Sequence, residues 1–254
     1  MSSTISKELL GKISSAGDKV NVYVNSKDKT IKCNPLNVKQ QKELISTAVS
    51  GIEGVLNFNI YQNQIILDNT DDDELLVYDV IPIIAKLRIE ALGNTIYNEG
   101  NTSSITVDDI LNNVEDRSGT TFESTKVISF DGIELHLQIP TIKQDIMVTK
   151  KCLNEVKRSK DDDENTVGLL YIYELIKYVT KISVEGEDIL FADISINNRR
   201  KIIESLNLKF YTELSNFLSV ITQYNNNILT KDDETVAIDI EFFDISTGSK
   251  EDSK

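Results

Sequence analysis

The sequence predicts an α+β fold, predominantly helical with a small antiparallel sheet. Three observations carry that prediction. Several segments place apolar residues at helical spacing behind capping residues, Asp131-Gly132 joins two runs of alternating apolar character, and Thr235 to Phe243 alternates from end to end. With 254 residues, 40% of them hydrophobic, the chain can fill one large core or two small ones, which excludes disorder for most of its length.

The elements follow in order. Ile5, Leu9 and Ile13 lie four apart and predict a short amphipathic helix ended by Gly17 and Asp18. Val20 to Val24 and Thr30 to Cys33, separated by the polar Asn25 to Lys29, predict a β-hairpin. Beyond Pro35, Asn37 with Gln40 three residues later marks a helix start, with Val38, Leu44, Ile45, Ala48 and Val49 as its buried stripe. Ser50 and Glu53 predict a capping box for the next helix, whose inner face is Ile52, Val55, Leu56, Ile60, Asn63 and Leu67, with a bend at Gly51 and Gly54. Asp79 is the expected cap of a third helix. It tolerates Pro82 in its first turn, buries Ile83, Ile84, Leu87, Ala91 and Leu92, and stops at Gly93.

Residues 96–124 turn polar and are rich in Asn, Thr and Ser, with one short helical candidate at Val107 to Val114. This predicts a linker or long loop between an N-terminal unit, 1–95, and a second unit, 125–245. Thr125 to Phe130 and Ile133 to Ile139 form the second predicted hairpin, with Leu135 and Leu137 inward and Glu134 and His136 outward. Thr141 with Gln144 opens a helix to about Val156, and the acidic Asp161 to Glu164 leads into an apolar core helix over Val167 to Ile182. Helices near Asn198 to Leu206 and Leu208 to Tyr224 follow. Thr235 to Phe243 is expected to join the central hairpin as a third strand, and 246–254 reads as a disordered tail.

Charge and composition exclude several functions. The net charge of -14, from 27 basic and 41 acidic residues, opposes nucleic-acid binding, which rests on Lys and Arg neutralising phosphates. Cys33 and Cys152 lie too far apart in sequence for a CxxC-type site, and their small number suits a reducing compartment. The first ten residues lack the basic and apolar regions of a signal peptide. The longest apolar run, Val80 to Ala85, is too short to span a membrane.

Candidate chemistry is sparse. His136 is the sole histidine and projects from the solvated side of its strand, so it is read as a surface residue and not as the base of a triad. The runs Asp71 to Glu74, Asp161 to Glu164 and Asp232 to Glu234 fail the calcium-loop template. Thr166 and Ile172 stand where the second run would need Gly and Glu, and Leu75 and Val236 occupy the third ligand position of the others. No GxxxxGK[ST] or GxGxxG loop is present, so no nucleotide, cofactor or metal is expected. Basic residues at Lys150-Lys151, Lys157-Arg158 and Arg199-Arg200-Lys201 are read as solvated helix faces. Arg88, beside an apolar stripe, should seek a carboxylate or a helix-end carbonyl.

Five phrases carry a resemblance. They are IKCNPLNVKQQKELI from Ile31, VYDVIPIIAKLR from Val77, GIELHLQIP from Gly132, LYIYELIKYVTKI from Leu170 and IDIEFFDI from Ile238. Together they resemble the family of T4-type bacteriophage baseplate hub assembly proteins, over nearly the whole chain and through structural, non-catalytic motifs. The resemblance implies a non-enzymatic factor, or a minor component, that helps build the hub of a contractile tail in the infected bacterium. It carries over no catalytic residue. Asn207 stands where family members often have Pro, and paired cysteines seen ahead of the last strand in some related proteins are missing, so no zinc is implied.

Recognition of baseplate hub or tail-tube proteins is then expected to use exposed strand edges. The candidate contacts are Val22, Val24 and Ile31 on the first hairpin, and Thr125 and Val127 on the outer edge of the second. Replacing Val22 and Val24 by Lys is expected to abolish partner binding without unfolding the chain.

Overall fold

The computed structural model describes residues 17–47, 51–98, 101–118, 122–158 and 163–243. The helix expected at Ile5 to Ile13, the cap at Ser50 and the tail from 246 lie outside these residues. The predicted class holds: helices dominate, and every paired strand is antiparallel.

The first hairpin forms as predicted, β1 (Val20–Val24) pairing with β2 (Lys29–Cys33) with Val22 opposite Ile31. Helix α1 (Val38–Thr47) starts at the expected reciprocal cap. Gln40 N–H donates to Asn37 Oδ1 at 3.0 Å, and Asn37 N–H to Gln40 Oε1 at 3.1 Å. Of its predicted buried stripe, Leu44 is buried while Val38 and Ile45 are exposed; Ala48 and Val49 lie outside the described residues. Helix α2 (Ile52–Asn69) buries Leu56, Phe58, Ile65 and Ile66 and leaves Val55 exposed. Helix α3 (Val80–Leu92) buries Ile83, Ile84 and Leu87, leaves Ala91 exposed, and ends at Gly93, whose N–H returns to the Ile89 carbonyl.

The described residues of the stretch predicted as a linker are largely in regular elements. They contain a second hairpin, β3 (Thr95–Asn98) with β4 (Asn101–Thr106), and helix α4 (Val107–Glu115), capped by the reciprocal Thr106 and Asp109 pair. The polar residues that suggested a loop alternate with Ile96, Ile105, Val107, Ile110 and Val114, all of which enter the core. A strand with one solvated face needs only every second residue to be apolar.

A four-stranded sheet runs in the order β5 (Thr125–Phe130), β6 (Ile133–Gln138), β7 (Val179–Val184), β8 (Glu187–Leu190). The β5–β6 hairpin turns at Asp131-Gly132, with φ of 50° and 77°, as the two-residue loop requires. Its third strand is not the C-terminal segment. The helix predicted over Val167 to Ile182 is α6 (Asp163–Tyr178), which gives way directly to β7. The β-branched residues Val179, Thr180, Ile182 and Val184 favour the extended form there, and Glu185-Gly186 makes the same kind of turn into β8, with φ of 53° and 90°. Helix α5 (Ile142–Val156), capped by Thr141 and Gln144 as predicted, packs between α2 and α6.

Helices α7 (Ile196–Ser205) and α8 (Leu208–Leu229) follow, α8 burying Phe210, Leu214, Phe217 and Ile221. A short hairpin, β9 (Thr230–Lys231) with β10 (Glu234–Thr235), precedes the segment expected as a sheet strand, Thr235 to Phe243, which beyond Thr235 forms no strand and ends in a single helical turn, α9 (Ile240–Phe243). Asp239 Oδ1 accepts from Glu241 N–H at 2.9 Å, and the turn drives both Phe242 and Phe243 into the core, which a strand would have placed on opposite faces. One hydrophobic cluster runs from Val20 to Phe243.

Candidate functional site

The first hairpin turns one face into the core and the other, with Asn21, Thr30 and Lys32, to solvent. Val22 is 3% exposed, Val24 0% and Ile31 9%, so these three predicted contacts offer no side chain to a partner. The period-2 pattern was right and its direction was wrong: β1 packs its valine face against α3. The hairpin tip is fastened as well. Asp79, expected to cap α3, instead accepts Ser26 N–H at 3.1 Å and Leu76 N–H at 2.9 Å, and Lys27 pairs with Asp72 at 2.5 Å. Burial pushes the Asp79 carboxyl above the ordinary carboxylate range, against the opposing pull of Ser26, Leu76 and Lys27.

The second predicted edge is available. β5 is an outer strand of the four-stranded sheet, Thr125 is exposed and Val127 is 53% exposed. A small cavity of about 120 Å³ beside it is lined by Phe122, Lys126, Phe217 and Val220, with Lys126 fixed to Glu213 at 2.8 Å. At the opposite edge every residue of β8 is exposed, including Ile189 and Leu190. Edge strands with free peptide groups and exposed apolar side chains suit the addition of a strand from another chain.

A larger cleft, which the sequence did not reveal, opens between α2, α3, α5, α6 and α8, with a volume of about 680 Å³. Leu56, Val80, Leu170 and Leu229 contribute apolar wall. Among the polar groups lining it, Lys177 Nζ contacts Asp145 Oδ1 and Glu174 Oε2, each at 2.6 Å, and Asn63 Nδ2 donates to Asp145 Oδ2 at 2.8 Å. Burial opposes the Lys177 charge, but the two carboxylates outweigh it and hold the ammonium above the usual lysine range.

His136 Nε2 lies 3.6 Å from Glu134, and its strand neighbours are Val127 and Lys181. Arg200 bridges Glu155 at 3.0 Å and Glu204 at 2.7 Å, so carboxylates dilute the basic residues at the junction of α5 and α7. Arg88 is 1% exposed and finds carbonyls: its Nε donates to Phe242 O at 2.8 Å, and its other nitrogens to Gly93 O and Thr95 O. Among the described residues no group of three or more His, Cys, Asp or Glu side chains is placed to hold a metal ion. No helix among them is long and apolar enough to cross a membrane.

Comparison with known families gives a match to T4 bacteriophage base plate protein over residues 18–247. The chain belongs to that family. The matched span takes in every described element of this baseplate protein from β1 to α9. No curated protein and no solved structure matches it.

Proposed function

We propose that this baseplate protein is a non-enzymatic tail morphogenesis factor that binds hub subunits and promotes assembly of the contractile-tail hub. The observation that carries the reading is the four-stranded sheet in a chain of this family. Its outer strands β5 and β8 have no further strand beside them among the described residues and expose Val127, Ile189 and Leu190. A factor that pairs with an incomplete hub subunit stabilises that subunit by mass action until the next component displaces it. On this reading Thr125 and Val127 mark the contact edge, the partners are hub or tail-tube proteins, and the work is done in the host cytoplasm without covalent chemistry.

A second reading makes the chain a permanent subunit of the virion baseplate, and the family's description as a base plate protein favours it. Quantitative mass spectrometry of purified virions and of hub intermediates separates the two. A transient factor is present in intermediates and absent from virions; a fixed copy number per virion establishes the resident subunit instead.

A further inference from the structure

The central cleft has the chemistry of a cation site with apolar walls. Asp145 and Glu174 against Lys177 leave one net negative charge in a chain whose net charge is already -14. Glu174 spends Oε2 on Lys177 yet keeps 44% of its side chain exposed. Thr149 also lines the cleft; it is 3% exposed, and its buried hydroxyl has no hydrogen-bond partner. Asn225 Oδ1, on the α8 side, is likewise buried and unpartnered.

Unpaired buried polar groups are costly; Asn225 Oδ1 can only accept and the Thr149 hydroxyl can accept as well as donate, so a ligand that donates hydrogen bonds satisfies both. An anion is opposed by the local charge, and a purely apolar group would leave both oxygens unpaired. A guanidinium supplies five N–H donors in one plane, is weakly hydrated, and stacks on aromatic rings such as that of Tyr171, 39% exposed on the cleft wall. The volume of about 680 Å³ also leaves room for apolar neighbours of such a group.

We propose that the cleft between α2, α5, α6 and α8 receives an arginine side chain, with its flanking apolar residues, from a partner protein. This rests on the reading of the chain as a factor that binds other baseplate proteins and names the chemistry of one contact. Glu174 supplies the charge, Thr149 and Asn225 accept hydrogen bonds, and Leu56, Leu170 and Leu229 cover the stem.

The test uses hexylguanidinium as the probe, titrated into the isotope-labelled full chain and followed by amide and side-chain NMR, with hexanol and hexanoate as controls. The expected result is saturable shifts at Thr149 and at the Asn225 side-chain amide, no saturable binding of hexanoate, and about tenfold or greater weakening in Glu174→Gln. Val167 is 62% exposed where it lines the cleft, so Val167→Arg obstructs the site without disturbing the core and should also abolish binding, even if Glu174→Gln fails to fold. Hexanol binding as tightly as hexylguanidinium, unchanged affinity in a folded Glu174→Gln, or no saturable shift overturns the proposal. Failure of the probe while hub subunits still co-purify with the chain removes the cleft and leaves the assembly role. Probe binding without any captured baseplate protein does the reverse.

Discussion

Arg88 holds Phe242 from within the core: the α3 guanidinium donates from Nε to the Phe242 carbonyl at 2.8 Å and lies 5.4 Å from the centre of that ring. The same group takes the carbonyls of Gly93 and Thr95, so one buried cation fastens the end of α3, the start of β3 and the terminal turn α9. Arg88→Ala should destabilise the chain by about 3–5 kcal/mol, since hydrogen bonds from a charged group are lost and buried carbonyls go unpaired. Arg88→Lys should recover only part, because an ammonium cannot reproduce the planar fork. Chemical denaturation measures both, and hydrogen exchange should show early loss of protection at Phe242 and Phe243.

Val22 and Val24 separate packing from recognition. Either residue changed to Lys buries an ammonium at a position with almost no solvent access, and the double variant should fail to fold at ordinary temperature. Val127→Lys, at an exposed position, should alter stability by no more than about 0.5 kcal/mol. Thermal melts of the two variants side by side check this.

Asp79 should be needed for the fold of the first hairpin. Asp79→Ala strands the N–H groups of Ser26 and Leu76 and should cost about 2–4 kcal/mol, whereas Asp79→Asn keeps one acceptor and should cost less. Protection of the Ser26 amide against hydrogen exchange reports the loss directly.

Both thiols should resist ionisation until the fold fails. Burial pushes Cys33 and Cys152 up to about 11 from an ordinary 9.0, although Lys19 and Lys177 respectively pull the other way. The unfolded chain therefore releases these protons first as the pH rises. Their contribution to stability is fully present below 9.0 and is lost towards about 11, so urea midpoints should fall across that window. Cys33→Ser with Cys152→Ser should flatten the fall, and a thiol reagent at neutral pH should label both cysteines only after unfolding.

Local chemistry was legible in the sequence, and long-range placement was not. Asn37 with Gln40, Thr141 with Gln144 and Asp131-Gly132 each act within a few residues, and each forms as read. Tyr178 to Ile182 defeated periodicity because Tyr178, Val179 and Ile182 are spaced as one face of a helix would space them and also fit a half-buried strand. The overlooked signal was Glu185-Gly186, which turns β7 into β8 much as Asp131-Gly132 turns β5 into β6. Alternation at Val22 and Val24 showed that one face was buried without saying which direction led to the core. Of the central cleft, only Asn63, a polar residue on an otherwise apolar stripe, gave a hint. Its partner Asp145 comes from another helix, as do Thr149, Lys177 and Asn225, and no pattern along the chain joins them.

The most direct test of the central claim is affinity capture of the tagged full chain from infected cells, with the co-purifying proteins identified and weighed at low and high salt. Baseplate hub subunits should co-purify and survive high salt, as apolar and strand-edge recognition should, and should be lost when Thr125 and Val127 are both replaced by Lys. Capture of no baseplate protein at either salt would contradict that claim.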